Sequence, residues 1–126
     1  MIVGTGVDIA EVDRIEAAVK RFGDRFLRRV FTPAEVRYCM GKLNAAERLA
    51  ARFAAKEAGM KAIGTGLRHG ISWQDVEVLR LPGQRPVLKF SGKAAEFAAR
   101  LGCKRTHLSL SHTASQAIAH VILEDQ

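Results

Sequence analysis

Cysteine, proline and aromatic side chains are scarce in this chain of 126 residues: two Cys, three Pro, one Trp, one Tyr and six Phe. Cys39 and Cys103 form no Cys-x-x-Cys pair and lack the histidine spacing of a zinc site, so they read as reduced, partly buried thiols in a reducing compartment. The few prolines, with no low-complexity tract and no internal repeat, leave no linker, and the length fits one domain over residues 1–126. Aromatics at 6% supply neither an RNA-binding signature nor a stacking platform. No apolar run approaches the roughly 18 residues of a membrane span. The first nine residues carry no cationic leader, so the expectation is a cytoplasmic chain with no membrane partner.

Acidic residues are also in short supply, 13 against 20 Lys and Arg, for a net charge of +7. An excess of that size favours an acidic partner: nucleic acid, a phosphorylated cofactor, anionic lipid or an acidic protein. Hydrophobic residues at 48% keep the chain out of the disordered regime.

Local signals divide the chain into alternating elements. Met1 to Val7 is β-prone with Gly4 and Gly6 interspersed, which predicts a strand closely approached by another segment and ending at Asp8. Val12, Ile15, Val19 and Phe22 follow helical spacing to a stop at Gly23, and Phe26, Leu27 and Val30 continue a second short segment to Phe31. Thr32-Pro33-Ala34-Glu35 is a capping box with proline at the first helical position. Asn44 to Ile63 is the longest helix, closed by Gly64-Thr65-Gly66. Runs at Ile71 to Leu81 and Pro86 to Phe90, joined through Pro82-Gly83, predict a hairpin. Gly92 to Gly102 reads as a helix, and His107 to Thr113 and Ala117 to Leu123 as two final strands.

The long helix carries the unusual charge. At about 100° per residue, Leu49, Phe53, Met60 and Ile63 fall within an arc of roughly 80°, the expected buried stripe, and Lys56 falls inside it. Glu57 lies at one edge with Lys61 a turn further on, and Arg52 lies at the other. Charge on a face that should be apolar breaks the local pattern, as functional sites do, although long side chains can snorkel and Glu57 to Lys61 is also an ordinary surface spacing. If Asp8 meets Glu57 in space, the two carboxylates make a hard-oxygen site suited to magnesium, which is commonly held by one or two carboxylates plus phosphates and water. Arg52, Lys56 and Lys61, with backbone N–H groups of Gly64-Thr65-Gly66, are then candidates to hold phosphate, although a plain helix-terminating loop is the commoner meaning of Gly-Thr-Gly.

Elsewhere the signals are weaker. Leu108, Leu110 and His112 share one strand face and Ser109, Ser111 and Thr113 the other, so Ser111 and His112 point apart and make a poor serine-nucleophile pair. Arg14, Arg21, Arg25 and Arg28 would align as a basic ridge on one unbroken helix, a ridge that Gly23 interrupts.

Taken in order, Gly4-Thr-Gly-Val-Asp8-Ile, Phe31-Thr-Pro-Ala-Glu35, Arg52-Phe-Ala-Ala-Lys56-Glu57-Ala, Lys61-Ala-Ile-Gly64-Thr-Gly66 and Leu110-Ser-His-Thr113 resemble the bacterial holo-acyl-carrier-protein synthase family. The resemblance covers nearly the whole chain. It implies a compact α+β fold, mostly antiparallel sheet with a long central helix, and a homotrimer with coenzyme A in clefts between subunits. It implies transfer of phosphopantetheine from coenzyme A to a serine of an acyl-carrier protein, with magnesium on Asp8 and Glu57 and with Lys61 beside the diphosphate. Arg52, Gly64, Thr65, Gly66, Ser111, His112 and Thr113 become candidates for the adenosine and ribose phosphate. Arg14, Arg21, Arg25, Phe26 and Arg29 become candidates for docking the acidic carrier protein. Larger single-chain relatives place a third carboxylate two positions after the first; Ala10 stands there, and water is expected to fill that place.

Three groups are available as the base for the carrier serine: Glu57, a water on the metal, and Lys61 if neighbouring cations lower its pKa. The chief non-enzymatic alternative is a small basic nucleic-acid-binding module, which the charge favours and the shortage of aromatics opposes.

Overall fold

The computed structural model describes all residues, 1–126, as an α+β fold built around one helix. In chain order the elements are β1 (Ile2–Glu11), α1 (Val12–Phe22), α2 (Asp24–Val30), α3 (Pro33–Met40), α4 (Ala45–Ala62), β2 (Val76–Leu79), β3 (Val87–Phe90), α5 (Gly92–Arg100), β4 (Arg105–His112) and β5 (Gln116–Glu124). The three long strands form an antiparallel sheet in the order β1-β5-β4, and β2 and β3 make a separate antiparallel hairpin.

The closeness of α4 to the sheet follows from small residues on both sides. The inward row of β5 begins with Ala117 and Ala119, and α4 presents Ala58 and Ala62. On β1, a Cβ added at Gly6 would lie 2.0 Å from the Ala58 carbonyl oxygen, and one at Gly4 2.2 Å from that of Ala62. Backbone thus packs on backbone, as the spaced glycines of the sequence predict. On another face of the helix, Gly59 makes room for the side chains of the hairpin residues Val76 and Leu88.

Helix starts and stops are where the sequence puts them. Gly23, at φ 56°, separates α1 from α2 and so breaks the basic ridge. The Thr32–Glu35 capping box opens α3. After α4, Gly64 and Gly66 take φ of 81° and 58°.

Three expectations change. Asp8 is not at a strand end, because β1 keeps pairing with β5 from Ile2 opposite Glu124 to Glu11 opposite Gln116. The run from Ile71 does not enter a strand until Val76: Trp73–Asp75 is a 3-10 turn, with the Ser72 N–H bonded to Asp75 Oδ2 at 3.2 Å. Finally, α4 has no single buried stripe, since the sheet, the hairpin and α3 bury it almost all round; Phe53 is only half-buried, stacked 4.9 Å from Trp73, whereas Lys56 is fully buried.

Candidate active site

β1 and α4 together bring Asp8 beside Glu57. Asp8 sits on the inward row of β1 with Gly6 and Ala10, facing the last turns of α4 from which Glu57 and Lys61 project. Lys61 Nζ donates to Asp8 Oδ1 at 2.7 Å and to the Val7 carbonyl at 3.2 Å. Burial pushes the Glu57 carboxyl above its ordinary pKa, and the adjacent Asp8 charge and a hydrogen bond with Asp8 push it further. Asp8 also raises the pKa of Lys61, whose bond to that carboxylate favours the charged ammonium. In this arrangement Lys61 stands as a charged donor to the Asp8 carboxylate.

This pair faces a cavity of about 570 Å³ whose lining includes Ala10, Arg14, Phe26 and Phe53. Its donors are hard carboxylate oxygens, and no group of three or more His, Cys, Asp or Glu side chains anywhere in the chain is arranged to hold a metal. Such a donor set fits magnesium, which keeps waters and takes substrate phosphate oxygens, and does not fit a zinc cage. Ala10, buried on the same row as Asp8, leaves the room that a third carboxylate would fill.

Lys56 belongs to a different place. Its ammonium is 0% exposed, lies 2.7 Å from Glu35 Oε1, and donates to the carbonyls of Val76 at 2.6 Å and Trp73 at 3.1 Å. With three acceptors satisfied inside the protein it has no proton left for a ligand. Glu35 is equally committed, accepting from the N–H groups of Thr32 and Val78, both at 2.8 Å. The capping box thus also supplies the counter-ion of a buried lysine.

The Gly64-Thr65-Gly66 amides are likewise spent: Gly64 N–H bonds to the Lys61 carbonyl at 3.0 Å, and those of Thr65 and Gly66 to the Met60 carbonyl at 3.1 and 3.2 Å. They terminate α4 and form no phosphate nest. Thr65 Oγ1 is turned onto the Gly66 carbonyl at 2.8 Å.

The Ser111-His112-Thr113 group is divided by strand alternation. Ser111 is exposed on the outer sheet face, level with Ile118 and Ile9. Thr113 Oγ1 accepts from the N–H groups of Ser115 at 3.2 Å and Gln116 at 3.1 Å, closing the β4–β5 turn. His112 alone faces inward, with Nδ1 3.0 Å from Glu47 Oε1.

His112 borders a second cavity, of about 250 Å³, together with Arg48, Arg52, Arg80 and Arg85. Arg52 is only 4% exposed, and its Nε has no hydrogen-bond partner. Four guanidinium groups with no lining carboxylate make an anion seat. Arg48 was within reach of sequence reasoning, one turn before Arg52 on the same helix. Arg80 and Arg85 were not, because only the hairpin's packing brings them here. Of the remaining candidates, Arg14 and Phe26 join the lining of the Asp8–Glu57 cavity, while Arg21, Arg25 and Arg29 are exposed along α1 and α2 and make no ion pair.

Similarity to known proteins extends over nearly the whole chain. Residues 4–120 match the model of the 4'-phosphopantetheinyl transferase superfamily. The holo-[acyl-carrier-protein] synthase of Koribacter versatilis is 64% identical over 99% of this chain and 100% of its own length. Crystallised synthases share the fold: that of Neisseria meningitidis has a TM-score of 0.86 at 34% identity, covering 98% of this chain and 99% of its own. That of Bacillus anthracis, solved in complex with CoA (3',5'-ADP), has a TM-score of 0.81 at 38% identity, covering 100% and 99%. With Asp8, Glu57 and Lys61 brought together in a fold shared from end to end, the chain belongs to the holo-[acyl-carrier-protein] synthase family of the 4'-phosphopantetheinyl transferases.

Proposed function

We propose that this chain transfers the 4'-phosphopantetheine arm of coenzyme A to a serine of an apo-acyl-carrier protein, releasing adenosine 3',5'-bisphosphate, with magnesium held by Asp8 and Glu57. The observation that carries the reading is the meeting of those two carboxylates beside the Lys61 ammonium at the wall of an open cavity. Magnesium bound there supplies charge neutralisation for the coenzyme's diphosphate oxygens. Lys61, kept protonated by Asp8, donates to the phosphoryl group in transfer and offsets the charge that develops on the leaving side. Glu57, on the wall of the same cavity, is the group of this chain that takes the serine proton.

The arginine cavity is the seat for the adenosine end of coenzyme A, with Arg52 and His112 joined by Arg48, Arg80 and Arg85. Arg52 and Glu57, five residues apart, point about 140° apart around α4, and the two cavities share no lining residue. This separation is compatible with a coenzyme A held between two copies of the chain, one supplying each kind of site. An outer sheet face carrying Val7 at 52%, Ile9 at 58% and Ile118 at 41% exposure supports the homotrimer that would supply the second copy. Arg14, Arg21, Arg25, Arg29 and Phe26 form the docking side for an acidic carrier protein. These two zones use the chain's +7 without a nucleic acid. No helix is long and apolar enough to cross a membrane, and both cysteines are free thiols, which supports a cytoplasmic setting.

The test is incubation of the purified protein with coenzyme A, magnesium and an apo-acyl-carrier protein, followed by intact-mass measurement of the carrier. A gain of one phosphopantetheine that disappears with chelator is expected. No gain across several carriers would overturn the assignment.

A further inference from the structure

Four guanidinium groups around one small cavity repel one another, and no carboxylate lines that cavity to hold them. The structure contains a neutral support instead. The Arg52 guanidinium lies over the ring of Tyr38, 4.2 Å from its centroid, and Arg48 Nη1 donates to the Tyr38 hydroxyl at 3.4 Å. Lys42 Nζ lies 5.0 Å from the centroid of the same ring. Arg48 is steadied further by Asn44, whose Oδ1 accepts from Nε at 3.3 Å. Tyr38 itself is fixed on α3, immediately before the fully buried Cys39.

A ring face attracts a cation through its quadrupole, and a phenol oxygen accepts a hydrogen bond, while neither carries charge. A carboxylate in this place would orient the same arginines and at the same time neutralise them. Tyr38 orients them and leaves the full positive charge of the cavity for the ligand. Resting on the reading of this cavity as the seat of the coenzyme's adenosine end, we propose that Tyr38 is a positioning residue for the ribose phosphate. It aligns Arg48 and Arg52 before the ligand arrives, and so lowers the ordering cost of binding without touching the coenzyme or the reacting atoms.

The test compares KM and kcat for coenzyme A and for dephospho-coenzyme A, which lacks the ribose phosphate, in Tyr38→Leu, Tyr38→Phe, Arg52→Ala and the Tyr38→Leu/Arg52→Ala double variant. Tyr38→Leu is expected to raise KM for coenzyme A about tenfold, with kcat changed by less than about twofold. Tyr38→Phe keeps the ring and is expected to raise it about threefold, through loss of the Arg48 contact alone. KM for dephospho-coenzyme A stays within about twofold of wild type in both, and the double variant is weaker than Arg52→Ala by only the roughly threefold that the Arg48 contact accounts for, not by the full roughly tenfold.

An equal rise for both coenzymes, or a Tyr38→Leu effect that adds in full to Arg52→Ala, would show that Tyr38 only packs the fold, and would overturn the proposal while sparing the cavity's assignment. Where Tyr38→Leu melts at a lower temperature, Tyr38→Phe decides the matter, and an unchanged KM in that variant refutes the positioning role. If Arg52→Ala leaves KM for coenzyme A unchanged, the assignment of the cavity fails and the role of Tyr38 with it.

Discussion

Replacing Gly6 by alanine tests the link between fold and chemistry most directly. The added Cβ would stand 2.0 Å from the Ala58 carbonyl oxygen, 2.9 Å from the Ala62 nitrogen and 3.0 Å from the Ala58 carbonyl carbon, all of them backbone atoms that cannot rotate away. Real Cβ atoms essentially never come within 3.0 Å of such a neighbour, so β1 must move off α4 by about 1 Å. Overpacking of this kind costs about 1–3 kcal/mol, and because the obstacle is main chain the upper end is expected. The same shift carries Asp8, two residues along the strand, away from Glu57 and Lys61. A displacement near 1 Å in a positioned site lowers turnover by about 100-fold. Thermal melting together with magnesium-dependent transfer to an acyl-carrier protein reads both effects. A Gly6→Ala protein with wild-type melting temperature and turnover would refute the argument that contact between β1 and α4 sets the geometry of the carboxylate pair.

Lys56→Met leaves the Glu35 carboxylate buried without its counter-ion and is expected to cost about 3–5 kcal/mol in urea unfolding, with part of the loss recovered by adding Glu35→Gln; a loss too small to measure would mean that the pair is dispensable. Glu57→Gln is expected to abolish transfer yet stabilise the chelated protein. The folded-state pKa of Glu57 is raised above its ordinary 4.5, so the stability it contributes is complete below that value and is lost as pH rises through the raised pKa. The variant should therefore melt above wild type at mildly alkaline pH and level with it in acid; the reverse trend would show that Glu57 is stabilised in its charged form. Cys39, fully buried with its thiol pushed up to about 11, should resist iodoacetamide in the native protein and react once urea unfolds it. Alkylation under native conditions would mean that the α3–α4 contact opens readily.

The sequence shows those parts of this site that depend on neighbouring residues. Glu57 and Lys61 stand out as charge at the edge of an apolar face, and the Gly23 break and the Thr32–Glu35 box follow from local backbone chemistry. Gly4 and Gly6 signal a close approach, but not that Ala58 and Ala62 make it. Lys56 looked like part of the site because a helical wheel shows which face a residue occupies and not what arrives to meet it; Glu35 comes from another helix and the carbonyl acceptors from the segment around β2. Local signals place Asp8 at a strand end because β5, which keeps β1 extended as far as Glu11, lies at the far end of the chain. The split of Ser111 from His112 was legible in the alternation of β4, whereas the convergence of Arg80 and Arg85 on Arg52 depends on where the hairpin docks.

The pairing of β1 with β5 bears on what kind of sequence change this chain can survive. Asp8 faces α4 only because it stands opposite Ala119, in a register that puts Val7 and Ile9 on the other side. A slip of one residue reverses every side chain of a strand, so one insertion or deletion between Gly6 and Asp8 would send the carboxylate to the outer sheet face and turn a bulky apolar residue onto the alanines of α4. Length variation among working relatives should therefore gather in the exposed turns at Gly41–Leu43 and Pro82–Gln84, and β1 should change by substitution alone.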